Sequence, residues 1–384
     1  MGSRYTGRPD GTLVKTALVY TRDEHDIDPD RVDHDAIKVV RRLQSYGYES
    51  YVVGGAVRDL LLGRRPKDFD IATEATPNQI RKLFRNSRVI GRRFRLVHVL
   101  FRDKVIEVST FRSSESEGFK NVFGTIEEDV QRRDFTANAL YLNPLDLSIV
   151  DFVGGTKDIR ARRLRPVIPV GRIFREDPVR MLRMLKYAAA CNLKPVGALR
   201  RRVRRDRALL GDTPASRLTE ELFKILAGGH SREIVDAMLR HRLMQYFLPE
   251  VQSTVDARGD YRARLLGRLG ALDGQIAQSP SRAMMLSHLA GDYLLEYSAV
   301  ATMQRIPFRE AYYALKAFLA PTTPPNAEVE RAIELVFENK GRLVRDEAGT
   351  EPLRSRRRRP RRRRRRSNSE AAPAGSGAAT RESE

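Results

Sequence analysis

Gly54-Gly55-Ala56-Val57-Arg58-Asp59-Leu60-Leu61-Leu62-Gly63, followed by Lys67-Asp68-Phe69-Asp70, is the stretch on which the fold turns. Ahead of it, Tyr51 to Val53 is a short β-like run; after the glycines, Ala56 to Leu62 reads as a short helix stopped by Gly63. Two glycines between a strand and a helix let backbone N–H groups approach a phosphate at the positive end of a helix. Arg58, in the first turn, is placed to add a bidentate contact. Phe69 and Ile71 alternate with Asp68 and Asp70 at strand period, so both carboxylates would share one face. Paired carboxylates beside a phosphate cradle suit Mg²⁺, which takes few protein oxygens and leaves positions for substrate phosphates. That is the arrangement two-metal phosphoryl or nucleotidyl transfer requires. Each half also has an ordinary reading, as a turn and as a solvated strand edge; their proximity favours chemistry. No GxxxxGK[ST] loop, GxGxxG fingerprint or HExxH pair accompanies them.

Working outward, Ala36, Ile37, Val39, Val40 and Leu43 recur at helical spacing, with Gly47 placed to end that helix. Thr76-Pro77 opens another helix through about Phe84. Two β-like runs, Arg95 to Phe101 and Lys104 to Phe111, flank a turn at Arg102-Asp103. The mixture up to about Val153 reads as one α+β domain. Beyond about residue 170 the pattern is helical to about 345: Arg175 to Ala190, Gly197 to Leu210, Ala215 to Ala227 and Ser231 to Leu239. The expected organisation is an arm over 1–31, a head over 32–165, a helical neck over 166–230, a helical body over 231–348 and a disordered basic tail over 349–384.

The 384 residues carry a net charge of +22, which points to a polyanionic partner. Arg354, Arg356 to Arg359 and Arg361 to Arg366 supply eleven of those charges, so the rest of the chain carries the other half. Nucleic acid is favoured over an acidic membrane, since no basic amphipathic helix with aromatic anchors is visible. No apolar run is long enough to span a bilayer, residues 1–20 do not read as a secretion signal, and the single Cys191 forms no metal or redox pair. A cytoplasmic location fits these features.

Further residues invite roles. Glu107, within an apolar strand, is a candidate for metal support, or simply an outward-facing residue. Asp134 follows Arg132-Arg133 and suits the N-cap of a helix running through Leu140. Glu176-Asp177-Pro178-Val179-Arg180 has good helix-start chemistry; Asp177 and Arg180 also carry planar heads able to match the edge of a base.

Together, Val52 to Ile71, Arg132 to Leu140 and Arg175 to Arg183 resemble the class II nucleotidyltransferases, which comprise bacterial poly(A) polymerases and CCA-adding tRNA nucleotidyltransferases. The resemblance spans about residues 30–250. It implies a polymerase-β-like nucleotidyltransferase head, with a mixed sheet and helices, followed by all-α neck and body domains. Asp68 and Asp70 would then hold Mg²⁺ and activate an RNA 3′-hydroxyl for attack on the α-phosphate, with ATP as substrate and pyrophosphate released. Asp134 would join the catalytic group. Gly54, Gly55, Arg58, Arg133, Asp177, Arg180 and Arg183 would contact the nucleotide. Ile90 to Val99, with Arg92 and Arg93, looks like the poly(A) polymerase branch, as does Glu220 to Leu226. Arg92 and Arg93 are therefore expected on RNA, along with Arg356, Arg357, Arg358, Arg359, Arg361, Arg362 and Arg363 of the tail. The resemblance implies RNA 3′ ends as partners, with proteins of RNA turnover as further candidates, and neither DNA nor membrane. A CCA-adding enzyme using CTP and ATP is the alternative, and a non-catalytic RNA-binding protein on the same head is a third.

Overall fold

The register of three strands builds the first half of the chain around one point. In the computed structural model, β3 (Ser50–Val53) and β4 (Asp70–Thr73) run antiparallel with Val53 opposite Asp70. On the other side of β4, β7 (Val105–Thr110) runs parallel to it with Glu107 opposite Asp70. The residue after Val53 is Gly54, so the end of β3 delivers the glycine turn beside Asp70. The structure describes residues 2–7, 13–91, 96–113, 123–300, 306–338 and 343–344, with backbone only at 298–300 and 344.

These strands belong to a nine-stranded sheet of order β1-β2-β9-β8-β3-β4-β7-β6-β5. Its other members are β1 (Gly2–Gly7), β2 (Leu13–Tyr20), β5 (Ser87–Ile90), β6 (Leu96–Leu100), β8 (Leu140–Asn143) and β9 (Ser148–Asp151). The arm expected over 1–31 thus contributes two strands, and β2 pairs with β9. The run Leu13-Val14-Lys15-Thr16-Ala17-Leu18-Val19-Tyr20 has the β-branched content to do so.

Helices α1 (His34–Ser45), α2 (Gly55–Leu61), α3 (Pro77–Leu83), α4 (Ile126–Gln131) and α5 (Gly155–Arg160) accompany the sheet. Asp33 caps α1 by accepting from the Asp35 and Ala36 N–H groups, and Ala36, Val39, Val40 and Leu43 form its buried face. Removing such a cap costs about 1 kcal/mol. Thr76 and Gln79 cap α3 reciprocally, with Pro77 at its first position. The fold class is α+β, as the sequence predicts.

Beyond residue 170 the chain is mainly helical: α6 (Ile173–Glu176), α7 (Arg180–Cys191), α8 (Gly197–Asp206), α9 (Ala215–Leu226), α10 (Ser231–Arg240), α11 (Met244–Phe247), α12 (Pro249–Ala257), α13 (Tyr261–Gly274), α14 (Arg282–Val300), α15 (Phe308–Leu319) and α16 (Asn326–Phe337). Two short parallel pairs interrupt it, Arg163–Leu164 with Lys194–Pro195 and Ile306–Pro307 with Leu343–Val344. Among the described residues no helix is long and apolar enough to cross a membrane.

Three local expectations are corrected. Asp68 precedes β4 rather than lying within it: beyond the Val53–Asp70 pair the partner chain turns into α2, leaving Asp68 no residue on β3 to pair with. Asp134 caps no helix through Leu140; a single 3₁₀ turn over Thr136–Asn138 leads into β8. The helix expected over Arg175 to Ala190 is two helices, broken between Glu176 and Arg180, because Pro178 can neither donate nor tolerate the preceding residue in helical geometry.

Candidate active site

Gly54 makes the turn with φ 73° and ψ −132°, a conformation that only glycine adopts readily. The turn borders a cavity of about 260 Å³ whose lining brings Asp70, Asp134 and Asp177 together with Arg132, Arg133, Arg180 and Arg183. The carboxylate of Asp70 and a wall of arginines therefore share a single cleft.

Asp70 opens to solvent, but the surrounding cleft deprives its carboxylate of bulk water. That desolvation, then the neighbouring Glu107 and Asp68 charges, pushes its carboxyl up to about 6, with Arg133 opposing. Glu107 is exposed and pairs with His98 at 3.3 Å. The structure thus places Asp68 and Glu107 each within electrostatic reach of Asp70.

Asp134 belongs to the basic wall. Its Oδ1 accepts from the Phe135 N–H at 2.7 Å and from Asn138 Nδ2 at 3.1 Å, while Oδ2 meets Arg183 Nη1 at 3.4 Å. Both oxygens are thus engaged, one by the Phe135 N–H and Asn138 and the other by Arg183.

The arginines differ in what they still have to offer. Arg58 is buried: it donates to Asp59 and, at 2.7 Å, to Asn138, and lies over the Tyr187 ring. It is not among the side chains that line the cavity. Arg133 is committed to Asp129, the Tyr141 hydroxyl and the Asn138 carbonyl. Arg180 holds Glu176 and the Ile173 carbonyl, tying α6 to α7. Asp177 accepts from the Val179 N–H and pairs with Arg217 at 3.0 Å. By contrast, Arg132 Nη1 and Arg183 Nε are buried without a hydrogen-bond partner. Burial is also the largest influence on Arg132, and nearby Arg180 adds to the lowering of its pKa. These two guanidiniums are the wall's unsatisfied donors.

The set of site residues expected from the sequence did not include Arg132, Asn138 or Tyr187. Asn138 joins Arg58 to Asp134, and Tyr187 packs edge-on against Phe135. The Arg-Arg-Asp run was the available signal for Arg132; nothing in the sequence marked Tyr187 apart from its helix neighbours. Arg92 and Arg93 and the tail arginines from Arg354 onward lie outside the described residues.

Residues 50–165 match the family model described as the poly A polymerase head domain, and residues 198–254 match that described as "Probable RNA and SrmB- binding site of polymerase A". Among solved structures, the Bacillus stearothermophilus CCA-adding enzyme in complex with CTP superposes with a TM-score of 0.55 and 25% identity, over 79% of this chain and 81% of that one. The chain belongs to the nucleotidyltransferase family of poly(A) polymerases and CCA-adding enzymes. Within that family, it is 43% identical over 269 residues to poly(A) polymerase I of Salmonella typhi, covering 66% of this chain and 57% of the relative. To the CC-adding tRNA nucleotidyltransferase of Halalkalibacterium halodurans it is 36% identical over 201 residues, covering 52% and 50%. The chain thus spans little more than half the length of the curated relatives it matches.

Proposed function

We propose that this chain is a template-independent polynucleotide adenylyltransferase, extending RNA 3′-hydroxyl ends with AMP from ATP. The observation that carries the proposal is the single cleft lined by Asp70 together with Arg132 and Arg183, each of which keeps one buried nitrogen without a hydrogen-bond partner. A carboxylate sharing a cleft with guanidiniums that retain unmet donors suits a nucleoside triphosphate bound with a divalent cation.

The donor chemistry fits Mg²⁺. Asp68 and Asp70 offer hard oxygens, and repulsion among the local carboxylates is what a cation would relieve. No group of three His, Cys, Asp or Glu side chains is assembled to hold a metal among the described residues. That accords with an ion that takes one or two carboxylates and draws its remaining ligands from phosphates and water. When bound, Mg²⁺ would neutralise charge on the phosphates and acidify the attacking hydroxyl.

The chain's own residues supply the rest. The 3′-oxygen attacks the α-phosphorus, a new P–O bond forms, the bond to the β-phosphate oxygen breaks, and pyrophosphate leaves. Asp70 orients the nucleophile's side of the cleft. Arg132 meets the triphosphate, with the Gly54-Gly55 turn allowing close approach. Arg183, steadied by Asp134, is positioned for the base or ribose. Arg133 and Arg180 shape the wall through their fixed contacts, and Asp177 does so through Arg217. Glu107 supports the acidic edge. In this reading residues 32–165 form the head, with β1 and β2 added to its sheet, and 166–230 and 231–348 form neck and body.

The CCA-adding alternative is favoured by the superposition on the CCA-adding enzyme; the higher identity to poly(A) polymerase I favours adenylate addition. The deciding assay supplies Mg²⁺ with ATP or CTP separately to a generic oligoribonucleotide and to tRNA lacking its CCA end. Long ladders with ATP on the generic RNA are expected. Growth confined to the tRNA, needing CTP and stopping after three additions, would transfer the chain to the other branch.

A further inference from the structure

Away from the cleft, α8 borders a second cavity of about 230 Å³, lined by Gly197, Arg200, Arg201, Arg204 and His241. Among the described residues, Arg200, Arg201 and Arg204 make no ion pair and no side-chain hydrogen bond. The acid on the same helix, Asp206, is already taken by Arg202. An ordinary solvated helix face interleaves charges of both signs; here three cations meet around a concavity with no counter-charge.

His241 lies among them. Its Nδ1 is buried without a hydrogen-bond partner. Burial, followed by Arg204, Arg240 and Arg200, lowers its pKa, so those guanidiniums lie close to the ring. The side chains lining the pocket offer charged donors and an imidazole, with no carboxylate and no phenyl or phenol ring. That is the chemistry of a bound phosphate rather than a stacked base.

We propose that this pocket seats a phosphodiester of the RNA substrate, at a point distinct from the reacting 3′ end, so that the chain grips the backbone irrespective of sequence. The proposal rests on the RNA reading above, and names residues and a ligand group within the segment whose family model is described by RNA binding.

The test measures binding of a 5′-hydroxyl oligoadenylate across a salt series, for wild type and for the triple variant Arg200→Gln, Arg201→Gln, Arg204→Gln. The variant should bind severalfold more weakly, and its slope of log affinity against log salt should shrink by about 0.7 per phosphate lost. ATP affinity at the cleft and the melting temperature should not change. The corresponding triple lysine variant should recover most of the binding. In wild type, adding the oligoadenylate should raise the His241 imidazole pKa, read by NMR. Equal affinity and salt slope in the glutamine variant would overturn the pocket. Binding that needs a 5′-phosphate would reassign it to terminal phosphates, and equally effective competition by polyglutamate would reassign it to an acidic protein; either outcome overturns the proposal. Wild type that neither binds nor extends the oligoadenylate would instead sink the RNA reading.

Discussion

Asp134 Oδ2 and Arg183 Nη1 lie 3.4 Å apart although 49 residues separate them in the chain. The contact links the turn after α4 to the second turn of α7, so the basic wall is set by head and helical residues together. Asp134→Asn keeps an acceptor for the Phe135 N–H but removes the charge that steadies Arg183. Hydrogen bonds to charged groups contribute about 1.5–3 kcal/mol when well formed. Half-exposure of Arg183 moves the expectation to the lower end, a loss of about tenfold in kcat/KM for ATP. Steady-state kinetics check it; an unchanged kcat/KM would make the pair a packing contact only.

Asp70 and Glu107 can be separated by substitution. Asp70→Asn should abolish incorporation while leaving RNA affinity near wild type. Glu107→Gln should reduce the rate but not abolish it, because Glu107 is exposed and already paired with His98. If the two variants are equally inactive, Glu107 is a full metal ligand.

The raised carboxyl of Asp70 also predicts a stability effect in metal-free protein. A carboxyl held near 6 when folded, against about 3.9 unfolded, binds its proton more tightly in the folded state. Its ionised form therefore destabilises the fold above about pH 6, and that penalty fades as pH falls towards 4. In EDTA, Asp70→Asn should melt higher than wild type at pH 7.5, with the gap roughly halved at about pH 5 and closing towards pH 4. Calorimetry across that range decides; a lower melting temperature for the variant at pH 7.5 would contradict the charge crowding.

Arg132 is predicted to be the triphosphate's principal protein contact. Arg132→Ala should raise KM for ATP by tenfold or more with a smaller effect on kcat, the signature of binding shared by ground and transition states. Arg132→Lys should recover part of it, since a point charge cannot reproduce the bidentate fork. A purely structural arginine would instead lower the melting temperature and leave KM alone.

Much of this site was legible because it is local. Gly54-Gly55, Asp70 and Arg132 to Asp134 each sit where a strand or short helix ends, and turn chemistry and alternation expose such ends. The position of Asp68 was misread because alternation does not reveal where a partner strand stops, which here depends on the turn at Gly54. The surroundings of Arg58 were hidden for a related reason: proximity to a glycine turn says nothing of Asn138, 80 residues away, which accepts from its guanidinium. Tyr187 and the orphaned His241 nitrogen were invisible, since both acquire meaning only from residues packed on them by distant helices. Strands β1 and β2 were passed over because their partner, β9, lies far along the chain.

The glycine turn offers the last prediction. At φ 73° and ψ −132°, any side chain at position 54 is strained by about 1–3 kcal/mol. A Cβ there would meet Arg133 Nη1 at 3.8 Å, an ordinary contact, so the cost is in the backbone and not in crowding. Gly54→Ala should therefore destabilise the protein modestly. Relaxation of that strain would rotate the peptide groups beside Asp70 and widen the approach to the phosphate. The loss of kcat/KM for ATP should consequently exceed what the fraction unfolded explains, while oligoadenylate affinity stays near wild type. Melting curves and kinetics on the same preparation check both halves. A variant that melts lower yet retains full activity when folded would show that the turn shapes the fold without touching the nucleotide.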